Sequence, residues 1–298
     1  MKLLETVEGL RRWREDARSA GTRVGFVPTM GALHAGHLSL VERARAHSHR
    51  VVASVFVNPT QFGPGEDFDR YPRDLEGDLA KLEAAGATAV FHPDAEALYP
   101  TESRRVWVEV EELDRDWCGA SRPGFFRGVT TVVAKLFNAV QPDVAVFGRK
   151  DYQQLVIIRR LVRELLWPIE IVDAPIVREP DGLAMSSRNA YLDEMARRAA
   201  PAIYEALVEV SAAFRDGESD AAKLTELLRA RLSAIPGAEL DYAGLADPET
   251  LAPLAMESVA RAQCLCAVHL GGARLIDNCD LAAGPEADPR YPATPEAT

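Results

Sequence analysis

The chain has 298 residues, with 34 Lys and Arg against 45 Asp and Glu, for a formal net charge of −11. A surface this acidic repels a phosphate backbone or an anionic bilayer over most approaches; this excludes a general nucleic-acid or membrane-surface binder but leaves room for a local pocket for a small anion. A hydrophobic fraction of 47% with 27% charged residues excludes a disordered chain, and the length predicts two domains or one large α/β domain.

Residues 5–19 read as a helix, with Val7, Leu10 and Ala17 set among charges that also interrupt any signal-peptide core. Arg23–Pro28 is a short apolar run bounded by Gly21 and Pro28, the pattern of a buried strand. Residues 37–47 place Leu38, Val41 and Ala44 on one helical face, and Arg50–Val57 is a second β-branched run, so 23–57 predicts a βαβ unit. The alternation continues with a helix over Leu75–Ala85 and strands over Thr88–His92 and Arg105–Val110. A helix follows over Gly128–Val140, a strand over Asp143–Gly148, a helix over Tyr152–Leu166 and a strand over Ile169–Asp173. This order predicts an α/β fold, a Rossmann-like doubly wound and mostly parallel sheet covered on both faces. No apolar run, Val51–Val57 included, approaches a membrane span. Four cysteines, at 118, 264, 266 and 279, are too few for a disulfide scaffold, and the C-x-C spacing is not a zinc or redox motif; reduced thiols and a cytoplasmic location are expected.

Beyond residue 176 the pattern changes. Glu194–Phe214 carries an apolar stripe of Ile203, Leu207, Val210 and Phe214, the pattern of one long helix. Asp220 is placed to cap a helix bearing Leu224, Leu227, Leu228 and Leu232 that ends before Pro236-Gly237. Leu240–Leu245 reads as a strand, and Cys264–Leu270 and Ala273–Asp277 flank Gly271-Gly272 as a hairpin. The expected organisation is a Rossmann-like α/β domain over 1–176 and a smaller C-terminal α+β domain with a short antiparallel sheet over 177–283. A disordered tail over 284–298 is expected, since Pro285, Pro289, Pro292 and Pro295 fall there.

Four stretches carry chemistry. Pro28-Thr-Met-Gly-Ala-Leu-His34-Ala-Gly-His37 joins the first buried strand to its helix, where unpaired N–H groups favour a phosphate and Gly31 and Gly36 let the backbone approach it. It is neither a dinucleotide fingerprint nor a P-loop; a Gly-containing turn with two incidental histidines is the other reading, and a zinc site is disfavoured because no other His or Cys cluster supplies an obvious third ligand. Val57-Asn58-Pro-Thr-Gln61-Phe follows the next strand, where Asn58 and Gln61 can hydrogen-bond a small polar substrate or simply form a turn. In Gly148-Arg-Lys150-Asp151-Tyr-Gln-Gln154, Gly148 permits a tight turn, Lys150 suits a phosphate, and Asp151 suits a helix cap or a ribose hydroxyl. With five lysines against 29 arginines in the chain, a lysine in that turn stands out. Met185-Ser186-Ser187-Arg188-Asn sets two hydroxyls and a guanidinium in succession, a fit to a polyphosphate or an ordinary linker.

In combination these stretches are more specific. His-x-x-His after a strand plus a later Met-Ser-Ser-Arg loop resembles the adenylyl-transferring α/β superfamily. Pro-Thr-Met-Gly-Ala-Leu-His-x-Gly-His, Phe-Val-Asn-Pro-Thr-Gln-Phe, Asp-Arg-Tyr-Pro-Arg, Gly-x-Lys-Asp-Tyr-Gln-Gln and Met-Ser-Ser-Arg-Asn resemble the pantoate–β-alanine ligase (pantothenate synthetase) family, over residues 3 to 280. The resemblance implies ATP-dependent joining of (R)-pantoate to β-alanine through a pantoyl adenylate, with release of pyrophosphate and then AMP. It implies that Met30, Gly31, Ala32, Leu33, His34, Ala35, Gly36 and His37 form the ATP-contacting turn, with His37 as proton donor assisted by His34. By the same resemblance Gln61 and Gln154 hold pantoate with help from the Met30 N–H, and Gln61 also meets β-alanine. Gly148 and Asp151 hold the ribose, Lys150 the phosphates with Arg149 beside it, Val177 and Met185 the adenine, and Ser186, Ser187 and Arg188 the β- and γ-phosphates. Mg²⁺ accompanies ATP with no protein ligand named, and a homodimer is implied.

Two positions depart from the family pattern. Phe125 stands where many relatives have His, and Arg149 where many have Glu, which reverses a charge beside Lys150. Two other readings stay open from the residues: a nucleotidyltransferase of the same superfamily acting on a phosphate monoester, and a catalytically silent paralogue. The first needs extra cations for its second substrate; the second predicts a missing His or Lys, whereas His34, His37, Lys150 and Arg188 are all present.

Overall fold

The computed structural model describes residues 1–100, 106–255 and 258–285, and in it the apolar runs become the middle of a parallel sheet. The chain divides into two units: Met1–Glu111, Arg122–Gly148 and Gln154–Ala174 in the first, and Glu112–Ser121, Arg149–Gln153 and the chain from Pro175 in the second.

In chain order, β1 (Lys2–Leu4), α1 (Val7–Ser19), β2 (Val24–Thr29), α2 (Ala35–His47), β3 (Arg50–Val55), α3 (Leu75–Ala84), β4 (Ala89–Phe91) and α4 (Ala95–Leu98) come first. After α5 (Cys118–Ser121), a piece of the second unit, come α6 (Phe125–Val140), β5 (Val144–Gly148), α7 (Tyr152–Glu164) and β6 (Glu170–Ala174). The six strands lie in the order β1-β4-β3-β2-β5-β6, each pair parallel. Parallel strands buried on both faces need apolar residues at successive positions, which is why these runs read as continuous rather than alternating. On one face Val24 and Phe26 of β2 pack with Leu10, Trp13 and Phe137; on the other Val27 packs with Val41 and Ala44. The order reverses between β2 and β5, so the carboxyl ends of these two strands, Thr29 and Gly148, flank the switch point at which such sheets bind ligands.

β1 was not legible in the sequence: three residues, two of them exposed, become a strand only by pairing with β4. Residues 106–110 have the alternation of a strand but no ladder partner among the described residues, and Arg105 lies outside them.

In the second unit α8 (Glu194–Ala199), α9 (Ala202–Arg215) and α10 (Ala221–Ser233) precede β7 (Glu239–Ala246), β8 (Pro253–Leu254), β9 (Gln263–Leu270) and β10 (Ala273–Asp280), an antiparallel sheet in the order β10-β9-β7-β8. The single helix expected over Glu194–Phe214 is two, because Pro201 has no N–H to continue α8. Asp220 caps α10 by accepting from the Ala222 and Lys223 N–H groups. Gly271 and Gly272, at φ +55° and +75°, make the tight hairpin between β9 and β10. Ile203, Leu207, Leu224 and Leu228 bury against Cys264, Cys266 and Val268 of β9. All four cysteines are buried free thiols. Among the described residues no helix is long and apolar enough to cross a membrane. The expected tail lies outside the described residues from 286 onward.

One close approach fixes the ground beneath the second motif. A Cβ on Gly128 of α6 would lie 2.2 Å from the Thr60 carbonyl oxygen. Alanine inside a helix is normally favoured over glycine by about 0.5–1 kcal/mol. Here the clash is with backbone and outweighs that gain. Gly128→Ala is expected to destabilise the protein by about 1–3 kcal/mol in urea unfolding, and an unchanged or raised midpoint would contradict this packing.

Candidate active site

The turn from β2 to α2 is built from the inside. Thr29 donates its hydroxyl to the Ser54 carbonyl at 2.6 Å and accepts from the Gly31 N–H at 3.2 Å. Gly31 and Ala32 then take positive φ, +86° and +51°, in succession. The buried Asp78 of α3 holds that shape: its two carboxylate oxygens accept from the Ala32 and Leu33 N–H groups, both at 2.8 Å. Lys81, one turn further along α3, donates to the Leu33 carbonyl at 2.9 Å. A side chain at Gly31 would meet Asp78 Oδ2 at 2.8 Å, so glycine serves both conformation and clearance. Asp78 was not singled out in the sequence. The signal was there: an acidic residue on the helical stripe of Leu75, Leu79 and Leu82.

His34 is the N-cap of α2. Its Nδ1 accepts from the Gly36 N–H at 3.1 Å, and His37 Nδ1 accepts from the His34 N–H at 3.4 Å, a reciprocal capping box made of two imidazoles. The rings sit 4.2 Å apart, tilted by 49°. A ring nitrogen that accepts an N–H bond carries no proton, so each neutral imidazole bears its hydrogen on Nε2.

The structure brings Met30 and Gln61 together: Gln61 Nε2 donates to Met30 Sδ at 3.0 Å. Gln61 ends a 3₁₀ turn, Pro59–Gln61, capped by Asn58. Of the two readings open for Asn58, a substrate contact or a turn, its bonds favour the turn. Both hydrogens of its amide are spent, on Gln61 Oε1 at 3.0 Å and the Gly128 carbonyl at 3.2 Å, and its oxygen accepts from the Thr60 N–H and hydroxyl. Asn58 therefore aims Gln61 rather than touching a ligand. Arg122, also missed in the sequence, donates to the Gln61 carbonyl at 3.1 Å and pairs with Glu66 at 2.5 Å. Its guanidinium lies 3.7 Å over the ring of Phe125, so the residue that departs from the family pattern supports the platform behind Gln61. Gln154, half-buried, lies in the first turn of α7.

In the second unit Arg149–Asp151 form a 3₁₀ turn directly after Gly148, with the Lys150 ammonium 3.9 Å from the exposed Asp151 carboxylate. Val177 and Met185 are brought together by a bond from the Met185 N–H to the Val177 carbonyl at 3.0 Å, closing a short antiparallel excursion through Arg178 and Ala184. Ser186 caps the 3₁₀ turn Ser187–Tyr191 through the Arg188 N–H. Arg178, at the base of this loop, is buried in a two-pronged ion pair with Asp277, at 2.7 and 3.0 Å. Burial works against its charge; the field and hydrogen bonds of Asp277 outweigh that and hold the guanidinium above its ordinary range.

Comparison with known proteins gives one answer. The family model of pantoate-beta-alanine ligase matches residues 2–280. A pantothenate synthetase of Geobacter sulfurreducens is 50% identical over 281 residues, 94% of this chain and 99% of its own, and one of Moorella thermoacetica is 51% identical over 282 residues with the same coverage. The crystal structure of pantothenate synthetase from Thermus thermophilus superposes with a TM-score of 0.88 at 50% identity, covering 94% of this chain and 99% of that one. A pantoate-beta-alanine ligase from Francisella tularensis, complexed with beta-gamma ATP and beta-alanine, gives a TM-score of 0.78 at 31% identity, covering 96% and 100%.

The Asp78 clamp makes a direct prediction. Asparagine keeps one acceptor oxygen and sets a donor against the other amide, which leaves one buried N–H unpaired at a cost of about 1–3 kcal/mol. In Asp78→Asn, hydrogen exchange at the Ala32 and Leu33 amides is expected to speed up about tenfold or more. Unchanged protection there would show that the turn holds its shape without the carboxylate.

Proposed function

As the chain belongs to the pantoate–β-alanine ligase family and forms pantothenate from pantoate and β-alanine, we propose that it does so in two steps, through a pantoyl adenylate. A carboxylate at neutral pH has no leaving group that an amine can displace, and ATP supplies one. A pantoate carboxylate oxygen attacks the α-phosphorus, the bond to the pyrophosphate oxygen breaks, and a mixed anhydride forms. The β-alanine amine then attacks the acyl carbon, AMP leaves, and the amine gives up a proton as the amide is made.

The observation that carries the assignment of roles is the imidazole capping box. With both Nδ1 atoms committed to backbone N–H groups, the two imidazoles are held in place at the N-terminal end of α2, where the helix end favours negative charge gathering on the phosphates. In this reading the whole Met30–His37 turn contacts ATP, and His37 is the proton donor. Gln61, steadied by Met30 and Asn58, and Gln154 hold pantoate, and Gln61 also faces β-alanine. Gly148 and Asp151 take the ribose, Lys150 and Arg149 the phosphates, Val177 and Met185 the adenine, and Ser186, Ser187 and Arg188 the β- and γ-phosphates. The Francisella tularensis relative, complexed with beta-gamma ATP and beta-alanine, supports ATP as the co-substrate. We assign Mg²⁺ to the triphosphate that brings it; among the described residues no group of three or more His, Cys, Asp or Glu side chains is arranged to hold an ion. Free buried thiols support a cytoplasmic location.

We also assign a homodimer, supported by an unpaired edge. Within 106–110, Val-Trp-Val-Glu-Val, the Val108 N–H and C=O are taken by the Thr131 and Thr130 hydroxyls of α6. In a strand the main-chain groups of Trp107 and Glu109 face the other way, and none has a partner among the described residues. Antiparallel pairing of two copies about Val108 sets Val106, 71% exposed, opposite Val110 of the second copy. It also sets Trp107, with Arg127 over its ring, opposite the second copy's Glu109.

Two experiments test these readings. ATP–pyrophosphate exchange with pantoate as the only acid is expected to fall at least about 100-fold in His37→Ala and in Lys150→Ala, with folding intact. Near-normal exchange in either removes that residue from the first step. Light scattering at micromolar concentration is expected to give twice the 32.6 kDa chain mass, and Glu109→Pro, which deletes an edge N–H, is expected to shift it toward the monomer. A wild-type chain of monomer mass overturns the dimer.

A further inference from the structure

Asp277 and Asn278 are consecutive on β10, both buried at 4% exposure, and their side chains serve different segments. The two hydrogens of the Asn278 amide go to the Arg149 carbonyl at 3.0 Å and the Lys150 carbonyl at 2.8 Å, the backbone of the turn that carries the Lys150 ammonium. The amide cannot flip, because its oxygen accepts from Gln263 Nε2 of β9 at 2.8 Å. Asp277 clasps Arg178 with both oxygens, and Arg178 donates to the Gly182 carbonyl at 2.9 Å, inside the excursion that delivers Met185 through Arg188. The Asn278 N–H in turn donates to Asp277 Oδ1 at 2.8 Å. Every donor of the Asn278 amide is therefore spent on the backbone beside the cation, and none is left for a ligand.

We propose that Asp277-Asn278 is the positioning element of the nucleotide site: one rigid two-residue segment sets the Lys150 turn through Asn278 and the Met185–Arg188 loop through Arg178, and so fixes the spacing at which the two grip a triphosphate. This rests on the reading of Lys150 and the Met185–Arg188 loop as triphosphate-binding segments. The residue types follow from the task. Two carbonyls in succession need a double donor, which asparagine is and aspartate is not. A buried guanidinium needs a two-oxygen acceptor, which aspartate is and asparagine is not.

The test is steady-state kinetics and ATP–pyrophosphate exchange on the full chain, with thermal unfolding alongside. Asn278→Ala is expected to raise the ATP KM or lower the exchange rate at least tenfold while the pantoate KM moves less than twofold. Asn278→Asp sets carboxylate oxygens against two carbonyl oxygens. It is expected to be worse at neutral pH but to recover relative to wild type as the pH falls, because the protonated acid regains one donor; the Asn278→Ala ratio to wild type stays flat. Gln263→Ala, which frees the amide to flip, is expected to show the same ATP-selective loss more weakly, and it keeps the test open if Asn278 variants fold poorly. Wild-type ATP parameters in a folded Asn278→Ala, equal losses toward ATP and pantoate, or no pH recovery in Asn278→Asp would overturn the proposal. Lys150→Ala in the same assays separates the two levels: if it exchanges normally, the reading of Lys150 fails, whereas a dead Lys150→Ala beside an unimpaired Asn278→Ala sinks the positioning role alone.

Discussion

The first unit's chemistry depends on one buried carboxylate accepting two adjacent backbone amides. Between Thr29 and His34 the chain must leave a parallel strand, turn through two positive-φ residues and enter a helix, and it can hold that path only if the inward-facing N–H groups are paired. Asp78 pairs two of them, and Thr29 a third. With the inner side of the turn closed in this way, His34 and His37 cap the start of α2 through their Nδ1 atoms.

The −11 charge takes on a different meaning in this light. An acidic protein that handles an anionic nucleotide cannot rely on a broad basic surface. Under the proposed function the answer is, in the first unit, the main-chain amides at the start of α2 and, in the second, a few cations set by buried scaffolding, such as Lys150 and Arg188. A fixed neutral donor loses little to screening and needs no rearrangement when charge develops, whereas an exposed lysine must be ordered each time.

How much of this could be read from the sequence differs by residue and for physical reasons. β2, β3 and β5 showed because burial on both faces demands apolar runs; β1 did not, because only pairing with β4 makes it a strand. The stripe through Ile203, Leu207 and Val210 read as one helix since packing periodicity runs on past Pro201 even though the hydrogen-bond ladder cannot. His34, His37, Gln61, Lys150 and Ser186 stood out because each lies in a motif whose residue types suit the proposed chemistry. Asn58 was visible but stayed open between a turn and a substrate contact, because an amide's type does not reveal whether its bonds are already spent. Asp78, Arg122 and Asn278 act on backbone atoms far away in sequence, and only the folded chain brings each to its partner.

The place of Asn278 in the chain has a consequence for the order of assembly. The histidine turn lies in the first forty residues and Lys150 near the middle, but the strand that anchors the Lys150 turn is the last one among the described residues. During synthesis, which delivers the amino-terminal part first, the first unit can close its parallel sheet while the second still lacks β10. Under the proposed positioning role, nucleotide affinity would then be withheld until the chain has been extended through β10.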